Sequence, residues 1–448
     1  MDLPSALPLE VLVATHPDFD PPSSTPSGRQ IGTLEKHCDL YEGGERFERN
    51  KGVYLRVRQM DSHPAYRAAR LAAAHYTGQM ASLIDWLAGS AFQSDPKIES
   101  DDPYWSGLNE DADGTGEDLA AVLYSALTEA LVHRRAYLGV SFPAEADASL
   151  AAARMPGGSA DGRIFCYRAC DVDDWGEDSR GQLIWVRVHR SEPVRSGPAQ
   201  ADTELHSWTY ITPEGQRSYF RVKKIQEKWD GKGFVSGAEF FSHNYGGMLP
   251  VARVEVPMGL WVSGRLASTQ LAIFNADAAL AFLYDANCFQ FPVISNPSRP
   301  TALNLSELNA LYLEPGGSAA MLAPSGTPFE QLRAYIDKLE ARLYLSVQAM
   351  ALQAASKDEH GRQSGVAKQR DMDAAHVLMA CYRGRLKDAL LKIIAVIKYV
   401  RNETDGEIEI SGLDQAENTE EKSPSTRTFW EKSFVRSDIP DSGAARPD

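Results

Sequence analysis

Two cysteines and a small cluster of carboxylates are the first residues whose types and spacing could do chemistry. Cys166 and Cys170 lie four residues apart. In a strand this spacing places both thiols on one face, where they could supply half of a tetrahedral zinc site. No second pair of Cys or His stands nearby in the sequence, so the spacing favours an ordinary structural role.

Two groups of acidic residues are further candidates for metal binding or acid–base chemistry. His16 precedes two aspartates, but it lies in a proline-rich stretch that offers no scaffold to hold ligand geometry, which favours a solvated loop. The run of Asp171, Asp173 and Asp174 could do acid–base work if burial separated the pKa values of its members. Next to Trp175 and a glycine, this run is more typical of a solvated loop.

The sequence contains no phosphate-binding loop of the Gly-x-x-x-x-Gly-Lys-Ser/Thr type, no His-Glu-x-x-His and no Gly-x-Ser-x-Gly. Gly114 and Gly116 stand before a predicted helix but lack the third glycine of a dinucleotide loop. We therefore expect no catalytic residue, no metal and no other cofactor, and a protein that is not an enzyme.

The net charge of the chain is −15, from 46 basic and 61 acidic residues. A protein that grips DNA needs clustered Lys and Arg, because affinity comes from neutralising phosphates and releasing counterions. The opposite balance indicates that the chain either avoids nucleic acid or handles DNA without holding it. Five scattered cysteines, an odd number, fit a reducing cytoplasm rather than a disulfide framework.

The elements alternate between helical and strand patterns, which predicts an α+β fold. Residues 1–60 are rich in Pro, Ser and Gly around 20–28 and predict an arm with little regular structure. Apolar residues at three-four spacing predict one helix from Pro64 to about Gly89, and a second that follows Gly116 and runs into an apolar strand at 137–140. Short β-branched and aromatic runs across 160–256 predict an antiparallel meander.

Helical spacing returns in the second half of the chain. It predicts helices over 259–288, 329–353 and 366–402, the last about 55 Å long at 1.5 Å per residue. A short strand is expected at 407–410, followed by a polar tail. No run of 18 apolar residues occurs, and the best candidate at 390–400 is interrupted by Lys392 and Lys398, so we expect no membrane span and no secretion signal.

Four stretches, in consistent order, resemble the portal proteins of tailed bacteriophages. Residues 66–92 are similar to an amphipathic helix that closes in Gly-x-x-Phe, and residues 116–143 to a helix that passes through a Gly-Arg turn into an apolar strand and a proline. His133-Arg134 replaces the usual Gly-Arg. Residues 243–251 resemble the turn and proline before the stem helix, and residues 363–370 the Ser-Gly/Ala-x-Ala-Lys start of the long last helix.

The resemblance implies a portal fold with long stem, wing and crown helices and an antiparallel β-rich wing and clip region. Its domains would be an arm at 1–60, a wing at 61–256 that contains the clip, a stem helix at 257–288, a channel-loop candidate region at 289–326, wing and crown helices at 327–410, and a polar tail at 411–448. Trp261, Arg265 and Gln270 are candidate stem-helix residues. Arg299, the only basic residue between Gln290 and Gln331, is the candidate contact to DNA in the channel.

The same resemblance implies a homo-oligomeric ring, commonly of twelve subunits, at one vertex of a capsid that is assembled in the host cytoplasm. Its partners would be the major capsid protein, the terminase packaging motor, head-completion or adaptor proteins, tail proteins and the double-stranded DNA that passes through the channel. Twelve times −15 gives a ring charge of −180, which would let phosphate slide rather than stick.

Two alternatives remain open. One is a hydrolase or transferase with an unrecognised site in 160–256, which a concave pocket with convergent titratable groups would support. The other is a different virion structural or adaptor protein, which would share the lack of chemistry and differ in symmetry.

Overall fold

Helices and antiparallel strands alternate along the chain in the computed structural model, which describes residues 31–92, 94–142, 161–194, 203–224, 239–242, 245–287, 291–295, 318–322, 327–355, 367–403 and 408–413. The described helices are α1 (Ile31–Glu42), α2 (Gly44–Tyr54), α3 (Pro64–Ala73), α4 (Gln79–Ala91), α5 (Pro103–Glu110), α6 (Leu119–His133), α7 (Val262–Asn287), α8 (Thr327–Ala355) and α9 (Ala367–Val400). The fold class is therefore α+β, as the sequence predicts.

The described strands form four antiparallel groups. They are β1 (Lys97–Glu99), β2 (Arg135–Ser141), β3 (Arg163–Tyr167), β4 (Val172–Glu177), β5 (Leu183–Val194), β6 (Thr203–Thr212), β7 (Gly215–Lys224), β8 (Glu239–Ser242), β9 (Val251–Glu255), β10 (Phe291–Ser295), β11 (Ser318–Leu322) and β12 (Glu409–Ser411). Their orders within the sheets are β3-β2-β9, β4-β5-β6-β7-β8, β1-β12 and β10-β11.

Residues 31–54 are helical, so the expectation of little regular structure across 1–60 is wrong for this part. Leu40 of α1 and Phe47 of α2 are fully buried, and the Phe47 ring stacks on the ring of Tyr54 at 5.3 Å. Through these two buried side chains the helices pack into the main core, whereas an arm would lie outside it. The Pro- and Ser-rich residues 20–28 that motivated the expectation lie outside the described residues.

The single helix predicted from Pro64 to Gly89 is two helices, α3 and α4, with an extended break at 74–78. Ala74 ends α3 with an extended backbone, at φ −75 and ψ 121. The break lets the Tyr76 ring stack on Phe47 at 4.0 Å, and its hydroxyl donates to the Leu40 carbonyl. Burial of this tyrosine explains why an otherwise continuous apolar pattern is interrupted.

The predicted passage from helix to strand is confirmed at α6 and β2. Arg134 joins them in the left-handed conformation, with φ 73. β2 then forms the centre of a three-stranded sheet with β3 and β9. Gly139 allows the close approach of β3, since a Cβ there would lie 2.7 Å from the Tyr167 ring.

The predicted meander in 160–256 is also confirmed. Strands β4 to β8 pair with their sequence neighbours in order, and the β6–β7 hairpin turns at Pro213 and Glu214. β5 and β6 pair from Val186 and Ile211 to Val194 and Thr203.

Helices α7, α8 and α9 match the three predicted in the second half of the chain. Their apolar stripes join one core cluster with α4, α6, β2 and β9. At 34 residues, α9 is about 51 Å long. The segment Val262–Tyr284 of α7 is long and apolar enough to cross a membrane by length and composition, although the sequence analysis expected no membrane span. About 44% of this segment is buried within the protein.

Two pairs of short strands lie at distant points of the sequence. β12 realises the strand predicted at 407–410 and pairs with β1, with Ile98 opposite Ile410 and both buried. β10 pairs with β11, with Ser295 opposite Ser318. The chain from 296 to 317 therefore begins and ends at the same end of the β10–β11 ladder. These residues and the tail at 414–448 lie outside the described residues.

Candidate functional site

A cavity of about 450 Å³ lies beside the outer face of α6. Glu129 of α6 and Arg168, just after β3, contribute charged groups to its wall, and Asp113 and Glu117 come from the loop that precedes α6. The remaining lining residues are Tyr41, Val122, Tyr124, Ser125, Thr128, Phe165 and Cys166. Three carboxylates against one guanidinium make the wall of this cavity acidic.

A relay of buried polar groups extends inward from Glu129. The Nδ1 atom of His133 lies 2.7 Å from Glu129 Oε2, one helical turn away, and His133 Nε2 lies 2.9 Å from the Sγ atom of Cys38. Cys38 is on α1, which packs against α6. His133 is the last residue of α6, where the helix dipole favours a positive charge.

Cys170 is exposed in the turn between β3 and β4, where its thiol donates to Asp171 Oδ1 at 3.6 Å. A hydrogen bond with Cys170 lowers the pKa of Cys38 to about 5, against burial, and His133 lowers it further. The same interaction raises the pKa of Cys170. The imidazole of His133, 2.9 Å from the Cys38 sulfur, favours the thiolate form of Cys38.

The protonation of His133 follows from the same contacts. Burial lowers its pKa, but hydrogen bonds to Cys38 and Glu129 outweigh burial and raise the pKa to about 9. At neutral pH the pair is thus a thiolate beside an imidazolium that Glu129 orients, the arrangement that activates a cysteine nucleophile.

The geometry limits what this thiolate can attack. Cys38 is 4% exposed and is absent from the lining of the cavity, so a substrate held in the cavity does not meet its sulfur. Cys166, which does line the cavity, has its pKa raised to about 12 by burial and stays protonated. Among the described residues, no group of three or more His, Cys, Asp or Glu side chains is arranged to hold a metal ion.

Of the candidate stem residues, Trp261 adjoins this cluster, since its ring lies 4.8 Å from the ring of His37. The indole Nε1 of Trp261 donates to the Val132 carbonyl at 3.1 Å, and the amide of Gln270 is fully buried against the segment that leads into α4. Arg265 is exposed on α7. Arg299, the candidate DNA contact, lies outside the described residues.

The acidic run at 171–174 is not a solvated loop, which corrects the sequence interpretation. Asp173 and Asp174 belong to β4, and Asp173 makes a two-pronged ion pair with Arg187 at 2.7 and 3.1 Å. Burial raises the pKa of Asp173 although Arg187 opposes this shift. The pair joins β4 to β5, which is a structural role.

Sequence reasoning noticed Cys166 and Cys170 but missed Cys38, Glu129 and His133. Glu129 and His133 carry a weak signal, since a spacing of four places them on one face of α6. Cys38 carries none, because it lies 95 residues from His133 in the chain.

The chain is similar to a solved structure described as the neck of an empty GTA particle computed with C6 symmetry, with 12% sequence identity, a TM-score of 0.36, and coverage of 74% of this chain and 80% of that chain. No family model matches the chain, and no curated protein matches it. At this TM-score the two chains share only a loose likeness in the arrangement of their elements.

Proposed function

We propose that this chain is a portal subunit of a tailed bacteriophage, one copy of a ring through which the genome enters and leaves the capsid. The single observation that supports it most is that three of the four stretches that resemble portal proteins coincide with, or lead into, elements of the implied type, in the implied order. The proposal makes the protein a non-enzymatic part of the virion.

The first resembling stretch, 66–92, departs from the single helix that the resemblance implies, because α3 and α4 are separate helices. The other three stretches fit better. The second is a helix, α6, that turns through Arg134 into the apolar strand β2. Another is the turn at 245–250 and the strand β9, which lead to α7, the 26-residue helix proposed as the stem. The last leads into α9, with 34 residues the longest described helix. Helices of this length suit a subunit that spans the wall of an assembly.

The pairing of β10 with β11 supports a channel loop. Because Ser295 lies opposite Ser318, the stretch between them leaves and returns at one point, as a loop that projects from the subunit must. In the proposed ring this stretch, with Arg299, faces the channel. The net charge of −15 per chain keeps the rest of the ring from holding phosphate.

The proposed partners follow from the proposed role. Copies of this chain form the ring, and the major capsid protein surrounds it at one vertex. The terminase motor docks during packaging, and adaptor and tail proteins replace it afterwards, while double-stranded DNA passes through the centre.

The proposal is tested by the symmetry of the purified protein. We expect a species far above the 49.2 kDa of one chain by light scattering, and closed rings of about eleven to thirteen subunits in negative-stain images. A monomer or a two-fold dimer at micromolar concentration would contradict the portal assignment. A ring of about six would favour the alternative of a different virion adaptor.

The enzyme alternative gains little from the cavity beside α6. Phe165, Cys166 and Arg168 do come from the 160–256 region, but the protonated Cys166 is a poor nucleophile. The activated thiolate of Cys38 is shielded from any substrate that would fill the cavity.

A further inference from the structure

The cavity beside α6 is elongated, because α6 and the β3 segment both line it along their length. Its lining extends on α6 from Val122 to Glu129, and on the second element from Phe165 to Arg168. Glu129 lies about 15 Å along the helix axis from Leu119, where α6 begins, at 1.5 Å per residue. A ligand that fills this cavity is therefore long and narrow.

The carboxylates of the lining lie at its two ends. Asp113 and Glu117 come from the loop before α6, and Glu129 lies near the C-terminal end of the helix. Arg168, the guanidinium of the lining, pairs with Asp171 at 3.4 Å, and its side chain is 59% exposed. Three carboxylates against one guanidinium give the lining a formal charge of −2, which favours a cation.

A buried hydroxyl beside Glu129 also indicates a ligand. Thr128 lines the cavity and is only 9% exposed. Its Oγ1 atom is buried and makes no hydrogen bond to any residue in the described part of the chain. Buried polar groups are normally hydrogen-bonded, because an unpaired one destabilises the fold. A ligand with an N–H group at this end of the cavity supplies the missing partner.

One carboxylate at each end has an oxygen that is not used by the protein. Glu129 accepts from His133 at 2.7 Å with Oε2, and within the described residues its Oε1 atom has no partner. The exposed carboxylate of Glu117 makes no hydrogen bond or ion pair with any described residue. Asp113 differs, because Thr115 and the loop backbone bind both of its oxygens. Glu117 and Glu129 are therefore the carboxylates that a ligand meets.

We propose that this cavity binds a linear aliphatic polyamine, with one terminal ammonium at Glu129 and Thr128 and the other at Glu117. An ammonium group has N–H donors and no acceptor, which matches two carboxylates and a hydroxyl oxygen. The methylene chain between the two ends packs along the apolar side chains of Val122 and Phe165. Extended spermidine, with a hydrogen bond at each end, has the length that the separation of Glu117 and Glu129 requires.

A metal ion fits this cavity less well than a polyamine does. The carboxylates lie at opposite ends and do not converge, and no three His, Cys, Asp or Glu side chains in the described ranges are arranged to hold a metal. The inference does not rest on the proposed ring, because all the residues that carry it belong to one subunit.

The first test compares amines of equal charge and different length by calorimetric titration of the full chain. Spermidine should bind at one saturable site per chain. Diaminooctane should bind at least about fivefold more tightly than putrescine, because only the longer diamine reaches both ends of the cavity. Many weak sites per chain, or equal affinity of the two diamines, would show that amines collect on the acidic surface and would overturn the proposal.

The second test locates the site with substitutions that each remove one negative charge. Glu117→Gln should raise the Kd of spermidine about threefold and Glu129→Gln about tenfold, because Glu129 is the less exposed of the two. Glu330→Gln, at an exposed position of α8 outside the cavity, is the matched control and should leave the Kd unchanged. Equal effects of Glu117→Gln and Glu330→Gln contradict the assignment, and this pair decides even if Glu129→Gln fails to fold.

The third test uses the buried hydroxyl, for which stability and affinity should change in opposite directions. Thr128→Val keeps the shape of the side chain and removes the unpaired oxygen, so the free protein should melt at the same or a higher temperature. The same variant should bind spermidine about fivefold more weakly, because the ammonium loses an acceptor. Unchanged affinity would place the polyamine elsewhere on the chain and overturn the proposal.

Calcium chloride provides the last comparison. Ca²⁺ should displace spermidine only at concentrations well above that of the polyamine, because its ligands must converge on one point. If Ca²⁺ binds at one site per chain more tightly than spermidine and displaces it, the cavity is a divalent cation site and the proposal is wrong.

Discussion

The side-chain amide of Gln270 holds the backbone N–H of Met80 with a hydrogen bond of 3.0 Å. Its Nε2 atom donates to the Thr77 carbonyl and to Gln79 Oε1. Gln270 therefore joins the middle of α7 to the start of α4, directly after the break in the chain at 74–78. The residue proposed for a stem helix has a structural task within its own subunit.

Replacing Gln270 with Ala should destabilise the protein by about 2–4 kcal/mol, because the N–H of Met80 loses its partner in the core and the carbonyl of Thr77 loses one of its two donors. Urea unfolding followed by circular dichroism at one fixed protein concentration measures the loss. Ser268→Ala, at an exposed position on the same helix, should change stability by less than about 0.5 kcal/mol. Equal effects of the two substitutions would contradict a bridging role for Gln270.

Arg134 has a left-handed backbone, with φ 73, where a Cβ atom is strained. Arg134→Gly and Arg134→Ala both remove the ion pair with Glu255 at 2.7 Å, so they differ only in that Cβ. The Gly variant should be more stable than the Ala variant by about 1 kcal/mol in the same unfolding assay.

The neighbouring Arg135 supplies the control for this comparison. It lies in β2 and its backbone is not in the left-handed region. The order should reverse there, with Arg135→Ala more stable than Arg135→Gly by about 0.5–1 kcal/mol, because glycine weakens a strand. If the Gly variant were the more stable one at both positions, the left-handed backbone of Arg134 would not be the cause of the difference.

Asp277 on α7 should make stability depend on pH. Burial, with a contribution from the charge of Glu340, raises the pKa of Asp277 to about 6. A carboxyl group whose pKa is raised in the folded state stabilises the protein below its unfolded pKa of about 3.9, and this contribution is lost as the pH rises through about 6. Asp277→Asn should therefore raise the free energy of unfolding by about 1 kcal/mol at about pH 8, a figure that already allows for screening by solvent. Near pH 4 the substitution should leave the free energy of unfolding unchanged.

Thermal unfolding at the two pH values measures this effect. Asp337→Asn, at an exposed position of α8, is the matched control and should have nearly equal stability to the parent at both pH values. A gain from Asp277→Asn that is the same at both pH values would show that the amide packs better and that charge is not the cause.

The parts of the fold that were predictable have long, regular patterns. In α8 and α9 the apolar stripe repeats over 29 and 34 residues, and in β5 to β7 turn residues separate β-branched runs. α2 was missed because five of its eleven residues are charged and its one fully buried side chain is Phe47. The break between α3 and α4 was missed because the contact of Tyr76 with Phe47 is a tertiary one.

The thiol cluster could not be predicted for the same reason. Glu129 and His133 are close in sequence, but Cys38 comes from a separate helix and meets His133 only when α1 packs on α6. The periodicity of apolar residues indicates which face of a helix or strand is buried, but it does not indicate which faces pack against each other.

The last prediction concerns Arg299, which stays a prediction from the sequence. In the proposed ring it faces the channel on the stretch between β10 and β11 and meets phosphate weakly, without base preference. Arg299→Glu should leave ring assembly intact, because the substitution lies outside the helices proposed to build the wall. It should lower the amount of DNA packaged or retained in particles made with the variant, because a carboxylate in place of the guanidinium repels the phosphates of the DNA.

Arg299→Lys is the matched control, since it retains the charge and should package normally. DNA content per particle, measured after nuclease treatment, gives the readout for both variants, and light scattering of the purified rings checks their assembly. Reduced packaging with Arg299→Glu but not with Arg299→Lys supports a phosphate contact. Normal packaging with both variants would make the stretch between β10 and β11 an ordinary surface connection, and loss of rings with Arg299→Glu would assign Arg299 to a contact between subunits instead.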